Sequence, residues 1–156
     1  MISLYTPLPD TVMVEGRNLL IDSNFKQMLE IEDIIRGKES EEEKVLKIFS
    51  IFYRYVDDTE YLFNHVEEAT NQFAWFFRGG DLPTTGKEKD SQGENDEVIS
   101  IPEPVFSYTY DAPYIYTAFL SQYNIDLLDI EYLHWWKFRA LFESLKSDHL
   151  FSEIKN

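Results

Sequence analysis

The chain has 156 residues, no cysteine and a formal net charge of −15 at pH 7. That length is typical of one domain with a hydrophobic core of its own, and the missing cysteines exclude disulfides, thiolate nucleophiles and cysteine-based metal sites. An acidic surface opposes direct binding to nucleic acid or to anionic membranes, because both depend on Lys and Arg contacts. The amino terminus shows no secretory pattern and no apolar run reaches about 18 residues, so we expect a soluble, intracellular protein.

The first predicted elements are a β-hairpin and a helix. Two short apolar runs, residues 11–14 and 17–21, flank a Glu-Gly turn, which indicates two antiparallel strands. In the following DSNFKQMLEIEDIIRG, apolar residues recur at helical spacing. Asp22 or Ser23 is the expected N-cap of this helix, and Gly37 is the expected stop.

Two further helices are predicted before the chain changes character. SEEEKVLKIFSIFYRYV begins with a capping box, in which Ser40 precedes Glu43 by three residues and acidic residues fill the first turn. DDTEYLFNHVEEATNQFAWFFRGG predicts a helix that begins after Asp58 or Thr59 and ends at a glycine pair.

Residues 79–97 have almost no apolar side chain and therefore predict a flexible acidic loop. The loop is either a solvated connector or a segment that folds onto a basic partner. Beyond it, Asp111 and Pro113 predict the start of a helix, and a last long helix is expected from near Asp129. The fold class is therefore mainly α: a compact bundle of about five helices with a short N-terminal β-hairpin and a disordered acidic loop, in a single helical domain of residues 1–156.

The last predicted helix, within IEYLHWWKFRALFESL, has apolar residues on two sides. At about 100° per residue, Trp135 falls in one apolar arc and Trp136 in another. Two interpretations stay open: both arcs pack in the core, or the second arc contacts another chain, since tryptophan is enriched at interface centres. The candidate partner-binding residues are those of the second arc: Tyr132, Leu133, Trp136 and Ala140.

Catalytic and metal-binding motifs are weak in this sequence. Glu131 and His134 form an E-x-x-H pair, but no second such pair exists, so a carboxylate-bridged metal site is not expected. A nucleophile elbow and a phosphate-binding loop are missing as well. We therefore expect no catalytic, cofactor-binding or metal-binding residue and a non-catalytic binding protein. The alternatives are a homo-oligomeric structural component and a small hydrolase with an unrecognised carboxylate site.

Several stretches resemble a small protein family of tailed bacteriophages that infect Gram-positive hosts. The resemblance lies in DAPYIYTAFLSQYNIDLLDIEYLHWWKFRALFESL, in LPDTVMVEGRNLLIDSNFKQML and in AWFFRGG, and HWWKF is its most specific part. It implies a role in tail morphogenesis, because genes of this family typically precede the gene for the tape-measure protein. By analogy of gene order, the resemblance implies a tail assembly chaperone that binds the tape-measure protein, or another tail protein, in the host cytoplasm. The family has no catalytic motif to transfer.

Overall fold

The computed structural model describes residues 1–80 and 108–147. Within these ranges the chain forms two strands and six helices: β1 (Thr11–Val14), β2 (Arg17–Leu20), α1 (Phe25–Arg36), α2 (Glu41–Phe52), α3 (Thr59–Asn64), α4 (Val66–Phe77), α5 (Ala112–Tyr123) and α6 (Trp135–Ser147). The prediction of a mainly α fold with an N-terminal hairpin is confirmed. The flexible acidic loop predicted at 79–97 lies, from residue 81 on, outside the described residues.

The hairpin forms where the sequence predicts it. β1 and β2 pair antiparallel, with Val14 opposite Arg17 across a two-residue turn. Both turn residues, Glu15 and Gly16, have positive φ angles of 47° and 82°, the conformation of the tight turns that match the twist of paired strands. The inward face of β1 is buried and packs against α4, so tertiary packing stabilises a hairpin that is marginal alone.

The predicted ends of the middle helices are largely confirmed. The Ser40 side chain accepts a hydrogen bond from the Glu43 N–H at 3.2 Å and caps α2. Gly79 and Gly80 both have positive φ, and their N–H groups close the end of α4 on carbonyls of its last turn. The one predicted helix before this stop is two helices, because His65 leaves the helical region with φ −129° and ψ 43°.

The predicted cap of α1 is wrong. Asn24, not Asp22 or Ser23, precedes the helix, and its side chain makes no capping bond. Asp22 Oδ1 accepts a hydrogen bond from the Asn24 N–H at 3.1 Å, just before the helix, and its Oδ2 forms an ion pair with Arg54 at 3.0 Å. The Ser23 hydroxyl lies 2.6 Å from the Tyr132 hydroxyl. Both side chains therefore bind residues that are distant in sequence.

The predicted start of the last helix near Asp129 is also wrong, because α6 begins at Trp135. The residues immediately before it, 131–134, are not helical and contact the segment that enters α1. Asn24 and His134 form an antiparallel bridge, and the Phe25 N–H donates to the Leu133 carbonyl at 2.8 Å. The Leu133 backbone thus bonds to a distant segment and not within a helical turn, and the two-arc helix pattern does not apply to the residues before Trp135.

Stacked and edge-on rings fill the core between α1, α5 and α6. The Phe138 ring lies 5.2 Å from both Phe25 and Phe119 and 5.6 Å from Trp135, measured between centroids. Such aromatic pairs add about 0.5–1.5 kcal/mol beyond the area that they bury. Much of the high aromatic content therefore has a structural role.

Candidate functional site

The four predicted partner-binding residues do not form one exposed surface. The Trp136 side chain is only 5% exposed and Leu133 is also buried, whereas Tyr132 is 53% exposed and Ala140 is exposed. Tyr132 and Leu133 precede α6 and are not helical. No observation tests a partner-binding role for the four residues, but only Tyr132 and Ala140 are accessible on the chain by itself.

The two neighbouring tryptophans bind the end of another helix. The Trp135 indole N–H donates to the Phe77 carbonyl and the Trp136 indole N–H donates to the Phe76 carbonyl, each at 2.9 Å. Arg139 adds a longer contact of 3.4 Å to the Phe77 carbonyl. The last carbonyls of a helix lack partners within it, so these donors complete the end of α4. The pair of indoles is thus explained by burial and hydrogen bonding within the chain.

His134 fixes the first turn of α6. Its Nδ1 accepts a hydrogen bond from the Trp136 N–H at 3.0 Å, and its Nε2 lies 2.9 Å from the Pro9 carbonyl oxygen. Only a neutral ring with its proton on Nε2 satisfies both contacts. Burial lowers the pKa of His134 below its ordinary value of 6.5, against the smaller opposing effect of the bond to Pro9.

We name residues 133–136 the His-Trp-Trp junction. It connects the amino-terminal arm (residues 1–10, before β1), the segment before α1 and the end of α4, through contacts that span 58 to 125 residues of sequence. Sequence reasoning missed this role, although two indole N–H donors beside one imidazole are a signal of buried polar contacts. Glu131 is exposed and lies before α6, so it does not share a helical face with His134.

The exposed apolar surface lies elsewhere. A groove of about 560 Å³ runs between α1, α5 and the segment that follows α5. We name it the α1–α5 groove; its principal apolar lining residues are Phe25, Leu29, Ile115, Tyr116, Leu127 and Leu128. Leu128 is 79% exposed, which is unusual for a leucine beside an apolar groove. The sequence gives little signal for this groove, because Leu127 and Leu128 stand in a short DLLD link between helices.

The titratable groups of the described ranges include few in the α1–α5 groove and no arrangement typical of a metal centre. No group of three or more His, Asp or Glu side chains in residues 1–80 and 108–147 is arranged to hold a metal ion. Among the residues that the structure describes, Lys26 is the one charged residue that lines the α1–α5 groove. Burial raises the pKa of Tyr108, at one side of this groove, to about 12, so its hydroxyl stays protonated at neutral pH. None of the helices in these ranges is long and apolar enough to cross a membrane.

These features define a small, mainly α protein with a hydrogen-bonded internal junction and an open apolar groove. The chain belongs to the Bacteriophage Gp15 protein family, whose model matches residues 4–156. The predicted membership in a bacteriophage family is confirmed, and the protein is a phage structural or morphogenesis protein. The comparisons with curated proteins and with solved structures found no match.

Proposed function

We propose that the protein is a non-catalytic tail assembly chaperone, which binds helical segments of the phage tape-measure protein in the host cytoplasm. The α1–α5 groove is the observation that carries this proposal. An amphipathic helix binds a protein by laying its apolar face into such a groove. A protein that presents this groove can cover apolar helical surface on a long partner before the partner is enclosed by other subunits.

The position of Leu128 supports a protein partner for the groove. Its side chain is largely exposed at one wall, and Leu29 of α1 is half-buried at the other. Removal of apolar surface from water contributes about 25 cal/mol per Å², so a partner that covers these side chains gains binding free energy from both. Leu128 is therefore the residue whose change should weaken binding most directly.

A non-catalytic role is consistent with the groove chemistry. General acid–base catalysis needs a positioned proton donor or acceptor with a pKa near the working pH. The lining offers Lys26 and tyrosine hydroxyls, and its other side chains are apolar. This chemistry suits recognition of a hydrophobic segment better than bond cleavage.

Co-expression with the tape-measure protein tests the proposal. We expect the tape-measure protein to stay soluble and to co-purify with the wild-type chain, and we expect Leu128→Ser to abolish both results. Leu20→Ser is the control, because Leu20 is also an exposed leucine and lies on β2, outside the α1–α5 groove. An insoluble tape-measure protein in the presence of the wild-type chain, or full binding by Leu128→Ser, would contradict the proposal.

The alternative, a homo-oligomeric structural component of the phage tail, is favoured by the amino-terminal arm. Leu4 is fully exposed and Tyr5 is nearly so, which leaves two large apolar side chains without cover from their own chain. Light scattering at two protein concentrations distinguishes this alternative. A mass that rises with concentration and falls in a Leu4→Ser, Tyr5→Ser variant supports self-assembly, whereas a concentration-independent monomer argues against it.

A further inference from the structure

A second apolar groove lies between the start of α2, the end of α3 and the start of α4. It has a volume of about 420 Å³ and is lined by Glu41, Glu42, Val45, Leu46, Phe63 and Val66. We name it the acidic-rimmed groove. It uses no residue of the α1–α5 groove and none of the His-Trp-Trp junction.

The floor of the acidic-rimmed groove is apolar and open to solvent. Leu46 is 55% exposed and Phe63 is 40% exposed, and they approach the groove from different helices. The Phe63 ring is held in place by Phe49, whose centroid is 5.4 Å away. Two large exposed side chains on a fixed wall are typical of a surface that packs against another molecule.

The carboxylates of the rim are not neutralised by ion pairs within the described part of the chain. Among the described residues, no cation lies within ion-pair distance of Glu41 or Glu42. The lysines of the same helix are engaged elsewhere: Lys44 donates to the Ile35 carbonyl at 2.7 Å, and Lys47 pairs with Glu39 at 2.9 Å. Favourable interaction with the helix dipole accounts for acidic residues in the first turn, but it does not account for the exposed apolar side chains beside them.

We propose that the acidic-rimmed groove binds an amphipathic helical segment of another protein, with an apolar stripe flanked by Lys or Arg. The apolar stripe would cover Leu46 and Phe63, and the basic residues would lie against Glu41 and Glu42. This inference goes beyond the proposed chaperone activity, because it concerns a different surface and does not require the α1–α5 groove.

Charge complementarity favours this occupant over a second copy of the same chain. The whole chain carries −15, so self-association through an acidic rim would bring like charges together. A basic helix instead gains attraction at the rim and apolar burial at the floor. Its binding should therefore weaken when salt is added.

A designed leucine–lysine helix of roughly 18 residues is the probe, labelled for fluorescence anisotropy. We expect it to bind the full-length protein more tightly than the matching leucine–glutamate helix does. Leu46→Ser should weaken binding by about tenfold or more. A Glu41→Gln, Glu42→Gln variant should weaken it by about two- to tenfold at about 0.05 M salt, and by less at about 0.5 M.

Matched controls separate this groove from general attraction to an acidic protein. Leu20→Ser controls for loss of an exposed leucine outside both grooves, and an Asp129→Asn, Glu131→Gln variant controls for loss of two exposed charges. Both should bind the probe within about twofold of the wild-type chain, in the range of surface changes that lie away from a contact. Circular dichroism melting confirms that each variant is folded.

Three results would overturn the inference. Equal weakening by the control variants would assign the binding to overall charge, and full binding by Leu46→Ser would remove the apolar floor from the contact. A wild-type dimer that Leu46→Ser converts to a monomer would assign the groove to a second copy. Loss of tape-measure binding in Leu128→Ser measures the proposed function separately, so the two proposals can fail independently.

Discussion

Replacement of Trp136 by alanine tests the structural role of the His-Trp-Trp junction most directly. The indole is buried against the rings of Trp75 and Phe76, with centroids 5.4 and 5.7 Å away. Truncation of a buried tryptophan to alanine costs about 3–5 kcal/mol, because packing is lost and a cavity remains. We therefore expect Trp136→Ala to lower the free energy of unfolding by about that amount.

A second variant divides this cost between packing and hydrogen bonding. Trp136→Phe retains a ring at the same position but removes the N–H that donates to the Phe76 carbonyl. The Phe76 carbonyl still accepts from the Gly79 N–H, so the loss is that of one hydrogen bond, about 0.5–1.5 kcal/mol. The phenylalanine variant should therefore be destabilised less than the alanine variant and still measurably.

Urea unfolding followed by circular dichroism measures these changes, and thermal melting provides a check. For a chain of this size, 1 kcal/mol shifts the melting temperature by about 2–4 °C, so Trp136→Ala should melt roughly 6–20 °C lower. Lys137→Ala is the control, because Lys137 is exposed on the same turn of α6 and should change stability by less than about 0.5 kcal/mol. A cost below about 1 kcal/mol for Trp136→Ala would refute the buried junction and return Trp136 to the candidates for partner contact.

Three other predictions concern groups that the fold places in unusual surroundings. Because the pKa of His134 is lowered in the folded state, the neutral ring should contribute fully to stability above pH 6.5, and this contribution should be lost as the pH falls below that value. The difference in unfolding free energy between wild type and His134→Gln, measured by urea unfolding, should therefore shrink from pH 7.5 to about pH 5.5. An unchanged difference over that interval would exclude a buried neutral ring. Gly80→Ala should destabilise the protein by at least about 1 kcal/mol more than Gly16→Ala. Both glycines have φ of 82°, but only at Gly80 would an added methyl meet the Trp136 ring, at 2.5 Å. Equal melting temperatures of the two variants would contradict this contact. Ser40→Ala should cost about 0.5–2 kcal/mol through loss of the α2 cap, whereas Ser40→Asp should retain most of the stability in the same assay.

Local patterns in the sequence predicted the hairpin, the starts of α2, α3 and α5 and the glycine stop of α4. In each case the determining contact lies within a few residues: the Ser40 hydroxyl reaches Glu43, and Gly80 reaches the carbonyl of Trp75. Side-chain chemistry and allowed backbone angles decide such features, so a short stretch of sequence contains the necessary information. The family membership also follows from sequence, since the characteristic residues can be read without coordinates.

Tertiary structure alone decided where α6 begins and which way its tryptophans face. The residues before Trp135 resemble a helix by periodicity, but they pair with the segment around Asn24, more than 100 residues away in sequence. Periodicity reports that a side chain is apolar and does not report which surface covers it. The same reason explains why both grooves were missed: each is lined by side chains of more than one helix, and a concave surface exists only after those helices pack together.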